Sequence, residues 1–255
     1  MTYPETMPAA LILAGSREGA PDPVAVSEGV AHKALVEVEG VPLLARVHAA
    51  LSAAGVQRIA VVADAPAVVA LAQIIGAEII EPGRGPSASV ARGFARLSAP
   101  MLVTTADHAL LQPDWVRQFV GDSPPDADVA VLLARRDAVE QAVPDTHRTW
   151  LRFADGQWSG CNLFLLATPR AEAAIATWRE VEANRKRPWR IAARLGPRVL
   201  WDYLRGRLTL SEAVAGLGER IGVRAAVVAA ADGLAAVDVD KVADLELVRE
   251  VAAGR

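Results

Sequence analysis

Two patterns of apolar residues alternate along the chain. Short runs rich in valine, leucine and isoleucine predict buried strands, and alanine-rich segments with apolar positions three to four residues apart predict amphipathic helices. Their alternation is typical of βα units around a mainly parallel sheet. The predicted strands are 9–15, 58–64, 77–83, 100–107, 126–136, 223–230 and 234–240, and the predicted helices are 42–55, 65–76, 87–98, 112–120 and 241–254.

The pattern becomes less regular in the second half of the chain. The stretch "RTWLRFADGQWSGCNLFLLA" predicts a hairpin that turns at Asp155 and Gly156, which indicates a mixed sheet. Residues 170–217 are almost wholly helical in pattern. We therefore predict a single domain over residues 1–255 with a helical insertion at about 184–217.

Two details of the pattern concern single elements. The strand at 100–107 lacks polar alternation, so we expect it to be buried on both faces. The helix at 87–98 begins with Ser87, a residue type that is favoured as an N-cap.

Composition excludes several classes of protein. With 255 residues, 52% of them hydrophobic, the chain can bury a full core. Its net charge of −3 gives no overall attraction to nucleic acid. The single cysteine, Cys161, excludes an intramolecular disulfide, and we expect an inert thiol because no basic residue adjoins it. The segment "MTYPETMPAA" lacks the features of a signal peptide and no apolar run reaches about 18 residues, so we expect a cytoplasmic protein.

The first predicted strand runs into a glycine turn, "AGSR", and a long loop that ends at Lys33. Backbone N–H groups at such a turn can surround an anion. Arg17 and Lys33 stand at the two ends of the loop and could meet a triphosphate there. An ordinary turn and two solvated surface charges are the alternatives. The candidate nucleotide-binding residues of this region are Leu13, Ala14, Gly15, Ser16, Arg17 and Lys33.

Three aspartates stand at predicted strand ends. Asp107 follows "LVTTA" at the carboxyl end of a strand, where open α/β sheets bind ligands. Asp238 and Asp240 are two apart on a predicted strand and would share one face. A divalent cation such as Mg²⁺ would offset their repulsion. The alternatives are that Asp107 caps the next turn and that Asp240 is the N-cap of the last helix.

Taken in order, these motifs resemble those of the MobA-like NTP transferases. The matching segments are "LILAGSR", "HKALVEVEGVPLL", "GPSASVARGF", "TTADHALL" and "VDVDKVADLELV". The resemblance implies a Rossmann-like, GT-A-type α/β/α fold of three layers, with a mainly parallel mixed sheet. It also implies a Mg²⁺-dependent nucleotidyltransferase that transfers NMP from an NTP, CTP or GTP in the first place, to a phosphorylated small-molecule acceptor and releases pyrophosphate.

The same resemblance assigns roles to individual residues. Arg17 and Lys33 would be the catalytic cations, and Ser87 and Ser89 would lie near the base. Asn162, in "SGCNLFLL", would face the acceptor. The metal ligands would be Asp107, Asp238 and Asp240.

Some departures from the family pattern keep other functions open. Ser16 stands where many relatives carry glycine, and no proline follows Asp107. These differences disfavour a strict molybdenum-cofactor guanylyltransferase, and a molybdenum-cofactor guanylyl- or cytidylyltransferase is kept as an alternative. A nucleotide-sugar-dependent glycosyltransferase would need a D-x-D motif, for which "DAD" at 126–128 and "DVD" at 238–240 are the candidates. A nucleotide-sensing regulator without activity is a third alternative.

The predicted insertion is locally basic and contains interleaved aromatic residues. One interpretation is a helical lid whose aromatics pack on the sheet while its arginines stay solvated. The other is an acceptor-binding surface in which Arg187 and Arg190 meet a phosphate and Trp189 and Trp201 cover an apolar portion, with peripheral membrane contact through this segment.

Overall fold

The computed structural model describes residues 6–15, 21–144, 148–183, 199 and 201–254. Its strands are β1 (Ala9–Leu13), β2 (Glu37–Val38), β3 (Val41–Pro42), β4 (Ile59–Val62), β5 (Glu78–Ile80), β6 (Met101–Thr105), β7 (Val129–Arg135), β8 (Leu151–Phe153), β9 (Gly156–Leu166) and β10 (Ala225–Ala229). Eight of them form one mixed sheet, in the order β10-β7-β9-β6-β1-β4-β5 with β8 paired to β9. Strands β2 and β3 form a separate hairpin.

Helices cover both faces of the sheet, which makes the three-layer α/β/α arrangement. The helices are α1 (Pro23–Ser27), α2 (Leu43–Ala53), α3 (Pro66–Ile74), α4 (Pro86–Leu97), α5 (Pro113–Asp122), α6 (Arg136–Ala142), α7 (Ala171–Ala183), α8 (Leu210–Arg220) and α9 (Val242–Ala252). None of the helices in the described ranges is long and apolar enough to cross a membrane.

The centre of the sheet is parallel and buried on both faces. Strand β1 pairs in parallel with β4 and with β6. Ala10 and Ile12 pack into one core with α2, α5 and α9, whereas Leu11 packs into the other with α4 and α7. The continuous apolar runs of these strands follow from this double burial. The first four residues of β6 are buried and its apolar residues are divided between the same two cores, so the expectation of a strand at 100–107 buried on both faces is confirmed.

Strand β9 makes the sheet mixed, as the sequence predicts. It is 11 residues long and runs antiparallel to both β6 and β7. The predicted hairpin is present, with Ala154 and Asp155 between β8 and β9. Gly156 opens β9 with φ of 132°, a conformation that favours glycine.

The predicted serine N-cap is wrong. Helix α4 begins at Pro86 and its N-cap is Gly85, with no side-chain capping hydrogen bond. Proline is well suited to the first helical position, because its missing N–H has no partner there in any case. Ser87 therefore lies inside the first turn.

The predicted strand at 234–240 is also wrong. The chain forms a 3₁₀ helix at Gly233–Ala236 and then an extended segment outside the sheet. Gly233 packs so closely on α6 that a Cβ there would lie 2.1 Å from the Ala138 carbonyl oxygen. The alternation of apolar and polar residues in this segment reflects the burial of one face without strand pairing, since Val237 and Val239 are fully buried.

Much of the predicted helical region is described and is helical. It contains α7, a short helical segment at 201–204 and α8, and Leu210 of α8 packs against Leu133 and Trp158 of the sheet. Arg187 and Arg190 lie outside the described residues. The single domain and its insertion stay predictions.

Candidate functional site

The first part of the site is the turn after β1, at the carboxyl edge of the parallel strands. Ala14 donates its N–H to the Val62 carbonyl at 3.0 Å, and the Leu13 carbonyl accepts from Ala106 N at 3.0 Å. A Cβ on Gly15 would lie 3.7 Å from the Pro82 Cβ, so the loop after β5 runs beside this turn. Ser16 and Arg17 lie outside the described residues, and their roles stay predictions.

Lys33 is held at the same edge by groups from two segments. Its Nζ lies 2.6 Å from Asp107 Oδ2, donates to the Val239 carbonyl at 3.0 Å and lies 3.6 Å from Asp240 Oδ1. Burial favours the neutral amine, but the charge and hydrogen bond of Asp107, with help from Asp240, outweigh it and raise the pKa of Lys33. The ammonium is therefore charged and fixed in position at neutral pH.

His32 fixes the turn that positions Lys33 at this edge of the sheet. It is the N-cap of a 3₁₀ helix at Lys33–Leu35, and its Nδ1 accepts from Ala34 N at 3.0 Å. Burial lowers the pKa of His32, which keeps Nδ1 available as an acceptor. The turn that carries Lys33 is thus fixed by its own neighbour in sequence.

Asp107 follows β6 and forms hydrogen bonds with Lys33 and with the backbone of Val239. Thr105 Oγ1 donates to its Oδ1 at 2.5 Å, and its backbone carbonyl accepts from Val239 N at 3.0 Å. Its side chain is 15% exposed. The carboxylate is thus oriented by its own strand and neutralised by Lys33, and it is not the cap of a following helix.

Asp238 forms a second ion pair beside the first. Arg148 contacts its Oδ1, and Asn162 donates Nδ2–H to Oδ2 at 2.7 Å. Burial raises the pKa of Asp238, Arg148 opposes this shift, and Asp107 and Asp240 add to it. Asn162 has φ of 49° where β9 shifts register against β7. That irregularity turns its amide toward Asp238.

Sequence reasoning did not single out Arg148. It lies in the loop between α6 and β8, where no motif or periodicity marks it. Its side chain is 14% exposed and it pairs with a residue 90 positions away. Its place in the site is evident only from its contact with Asp238.

The predicted cluster of three metal-binding carboxylates is not formed by the described residues, among which no group of three His, Cys, Asp or Glu side chains could hold a metal ion. Asp107 and Asp238 nevertheless influence each other electrostatically. Mg²⁺ commonly takes one or two carboxylates and completes its shell with phosphate oxygens and water. The donor chemistry of Asp107 and Asp238 fits that mode, and Mg²⁺ binding stays a prediction.

Ser87 and Ser89 lie at the start of α4 and make hydrogen bonds within the protein. Ser89 Oγ accepts from Gly83 N and donates to the Gly85 carbonyl, both at 3.0 Å. Ser87 donates both its N–H, at 3.2 Å, and its Oγ–H, at 2.5 Å, to Oε2 of Glu182. Contact of the two serines with a base stays a prediction, and Glu182 is a residue that sequence analysis missed.

Two further titratable groups near the site, the Cys161 thiol and the His108 imidazole, stay uncharged at neutral pH. Cys161 is buried, and burial raises the pKa of its thiol to about 12. The thiolate is therefore scarce at neutral pH, which agrees with the expected inert cysteine. His108 is fully buried beside Trp115, and burial lowers its pKa to about 4.

The site can now be compared with known proteins. A family model described as the MobA-like NTP transferase domain matches residues 10–155. The chain therefore belongs to the MobA-like NTP transferase family, a family of nucleotidyltransferases. A hypothetical transferase from Thermus thermophilus is 34% identical over 93% of this chain and 99% of its own, with a TM-score of 0.80.

More distant solved structures share the fold. A CMP:2-keto-3-deoxy-manno-octonic acid synthetase complexed with CTP is 19% identical, with a TM-score of 0.55, over 96% of this chain and 99% of its own. The 2-C-methyl-D-erythritol 4-phosphate cytidylyltransferase of Thermus thermophilus is 18% identical, with a TM-score of 0.53, over 97% of this chain and all of its own. The comparison with curated proteins finds no match.

Proposed function

We propose that this protein is a Mg²⁺-dependent nucleotidyltransferase of the cytoplasm. It transfers NMP from an NTP, CTP or GTP, to a phosphorylated small-molecule acceptor and releases pyrophosphate. The observation that carries the proposal is the Lys33–Asp107 pair, at 2.6 Å, beside the Gly15 turn. A fixed cation and a carboxylate of the kind that holds Mg²⁺ thus lie together at the edge where α/β sheets bind ligands.

The reaction needs position and charge more than a covalent nucleophile. An oxygen of the acceptor phosphate attacks the α-phosphorus of the NTP, a new P–O bond forms, and the bond to the leaving pyrophosphate breaks. Lys33 would bind the phosphate oxygens and stabilise the charge that develops on them. Arg17 would assist from the other end of the loop, and the Gly15 turn would donate backbone N–H groups.

Asp107 and Asp238 would hold the metal, and Asp240 is the third predicted ligand. A bound Mg²⁺ would supply electrostatic stabilisation of the reacting phosphates. Lys33 neutralises Asp107 and Arg148 neutralises Asp238 in the protein alone. The two cations therefore offset the repulsion between the carboxylates until the anionic substrate arrives.

The acceptor would bind on the Asp238 side. Asn162 and Arg148 line that side through their contacts with Asp238. A guanidinium here would attract a phosphorylated acceptor. Arg187 and Arg190 stay proposed acceptor contacts, and their segment would also provide any peripheral membrane contact.

The similar structures named for CTP and for cytidylyl transfer support CTP as a candidate donor. The glycosyltransferase alternative loses one of its D-x-D motifs. Asp128 accepts from Thr168 Oγ1 and Arg224 N at the amino end of β7, which is the edge opposite to Asp107. A metal held there would be remote from the Gly15 turn.

The test is pyrophosphate release from the four common NTPs with phospho-sugars and phospho-alcohols as acceptors. We expect release with one NTP and acceptor class, and its loss in Lys33→Ala although this variant still folds. Arg58→Ala is the matched control, because Arg58 pairs with Glu78 at the opposite edge of the sheet. No release with any combination, or full activity of Lys33→Ala, would overturn the proposal.

A further inference from the structure

The side chain of Glu182 reaches the start of α4 from another helix. Helices α4 and α7 pack on the same face of the sheet, with Phe94 and Ile175 in one core. The last turn of α7 lies beside the first turn of α4, where Ser87 contacts Glu182. The carboxylate is therefore placed by a packed pair of helices.

The described residues use only one oxygen of that carboxylate. Both hydrogen bonds from Ser87 end on Oε2. Oε1 lies above Gly85, so a Cβ on Gly85 would be 2.1 Å from this oxygen. Oε1 accepts no hydrogen bond from the described residues. Ser87 thus pins one oxygen and leaves an oriented acceptor on the other, since a carboxylate can accept several hydrogen bonds.

Oε1 lies on the proposed nucleotide side of the site. The loop from Pro82 to Gly85 follows β5 and runs beside the Gly15 turn, since a Cβ on Gly15 would lie 3.7 Å from Pro82 Cβ. Lys33 and Asp107 lie on the other side of β1, at the end of β6. A nucleotide that has its phosphates at Gly15 and Lys33 and extends away from Asp107 toward the Pro82 loop would bring its base toward Glu182.

We propose that Glu182 is a specificity-determining residue for the nucleotide base. This inference rests on the proposed nucleotidyltransferase function. A carboxylate only accepts hydrogen bonds, so it favours a base that presents an amino donor on its Watson–Crick edge, as cytosine and guanine do. Uracil has a carbonyl in place of the amino group and an N3–H in place of the acceptor N3, so a carboxylate that faces the exocyclic position of the base meets an oxygen and is repelled.

The competing explanation is that Glu182 only stabilises the start of α4. A negative charge at a helix N-terminus does so in many proteins. That role changes stability and the binding of every nucleotide alike, whereas base recognition changes the ratio between nucleotides. The ratio is therefore the quantity to measure.

The experiment compares CTP with UTP, by calorimetric Kd and by kcat/KM, in the full chain and in Glu182→Gln. If GTP is the donor, ITP takes the place of UTP. We expect the full chain to prefer the amino-bearing base by about tenfold or more, and the preference to fall by about tenfold in Glu182→Gln, since glutamine both donates and accepts. Glu172→Gln, on the exposed first turn of the same helix, is the control and keeps the ratio.

Three results overturn the inference. The first is equal affinity of the full chain for CTP and UTP, or for GTP and ITP. The second is an unchanged ratio in Glu182→Gln, and the third is a loss of affinity that is equal for both nucleotides together with a lower melting temperature. The Kd values separate this question from turnover, because the proposed function fails without pyrophosphate release whereas the inference fails only when base discrimination does not depend on Glu182.

Discussion

The two sides of the site are assembled in different ways. On the proposed nucleotide side, Gly15 lies two residues after the end of β1, and Lys33 is positioned by the adjacent His32. On the proposed acceptor side, Asp238 contacts Arg148 and Asn162, which are 90 and 76 positions away. The first side depends on local turns, whereas the second exists only when distant loops reach the same edge of the sheet.

The two sides meet at the extended segment before α9. Val239 donates to the Asp107 carbonyl and its own carbonyl accepts from Lys33, both at 3.0 Å. Asp238 and Asp240 flank it and contact different cations. A shift of this segment would therefore disturb both sides, which the following variants test.

The largest effect is expected when the contact between Asp107 and Lys33 is removed. Asp107→Asn removes the partner of Lys33 and a proposed metal ligand, and we expect kcat to fall by about a thousandfold or more. The measurement is pyrophosphate release at saturating Mg²⁺, with melting as a check on folding. Asp64→Asn, an exposed aspartate after the neighbouring strand β4, is the control with nearly unchanged kcat. A fully active, folded Asp107→Asn would contradict the assignment.

A smaller, one-sided effect is expected from Arg148→Gln. It leaves Asp238 without its cation, so an anionic acceptor meets an uncompensated carboxylate, and we expect the acceptor KM to rise about tenfold while the NTP KM changes less than about twofold. Steady-state kinetics with each substrate varied in turn measures both. Arg152→Gln, on the exposed strand β8, is the control. An equal rise in both KM values would show that the two sides are not separable.

Glu28→Gln tests how the nucleotide side is attached to the C-terminal helix. Glu28 follows α1 and pairs with Arg249 of α9 through two hydrogen bonds. The hydrogen bond from Arg249 lowers the pKa of Glu28, against the opposing effect of burial, so the pair stabilises the fold above the usual glutamate pKa and loses its effect as the pH falls below it. We expect a loss of at most about 1 kcal/mol at pH 7, since the pair is partly exposed.

Urea unfolding at pH 7 and at pH 3 measures this difference. The loss should shrink between pH 7 and pH 3, because the stabilisation disappears as Glu28 becomes protonated in the folded chain. Glu250→Gln, exposed on the same helix, should change little at either pH. A loss that persists at low pH would show that the effect does not depend on the charge of Glu28.

The smallest effect is expected at Cys161, next to Asn162 on β9. Because burial raises the pKa of its thiol to about 12, the folded protein should react with a thiol reagent at pH 8 at least about a hundredfold more slowly than the unfolded chain. Cys161→Ala should keep its activity. Rapid labelling of the folded protein would mean that water reaches β9 on the acceptor side.

Local chemistry made much of the fold predictable. The buried strands β1 and β6 and the amphipathic helix α2 follow from apolar periodicity, and the hairpin before β9 follows from Asp155 and Gly156. Lys33 was predictable because it ends a loop that starts at a glycine turn. Such features depend on residues close in sequence, whose relative positions the chain itself limits.

Tertiary structure decided the rest. Alternation at 234–240 marks an extended chain with one buried face, but it does not say whether a strand partner is present, and here Val237 and Val239 are buried without one. Glu182 meets Ser87 across 95 positions, and Arg148 meets Asp238 across 90. No local pattern records such pairs, because the energy of an ion pair or hydrogen bond depends on the distance between its atoms, and that distance is set by the order of the strands and the packing of the helices upon them.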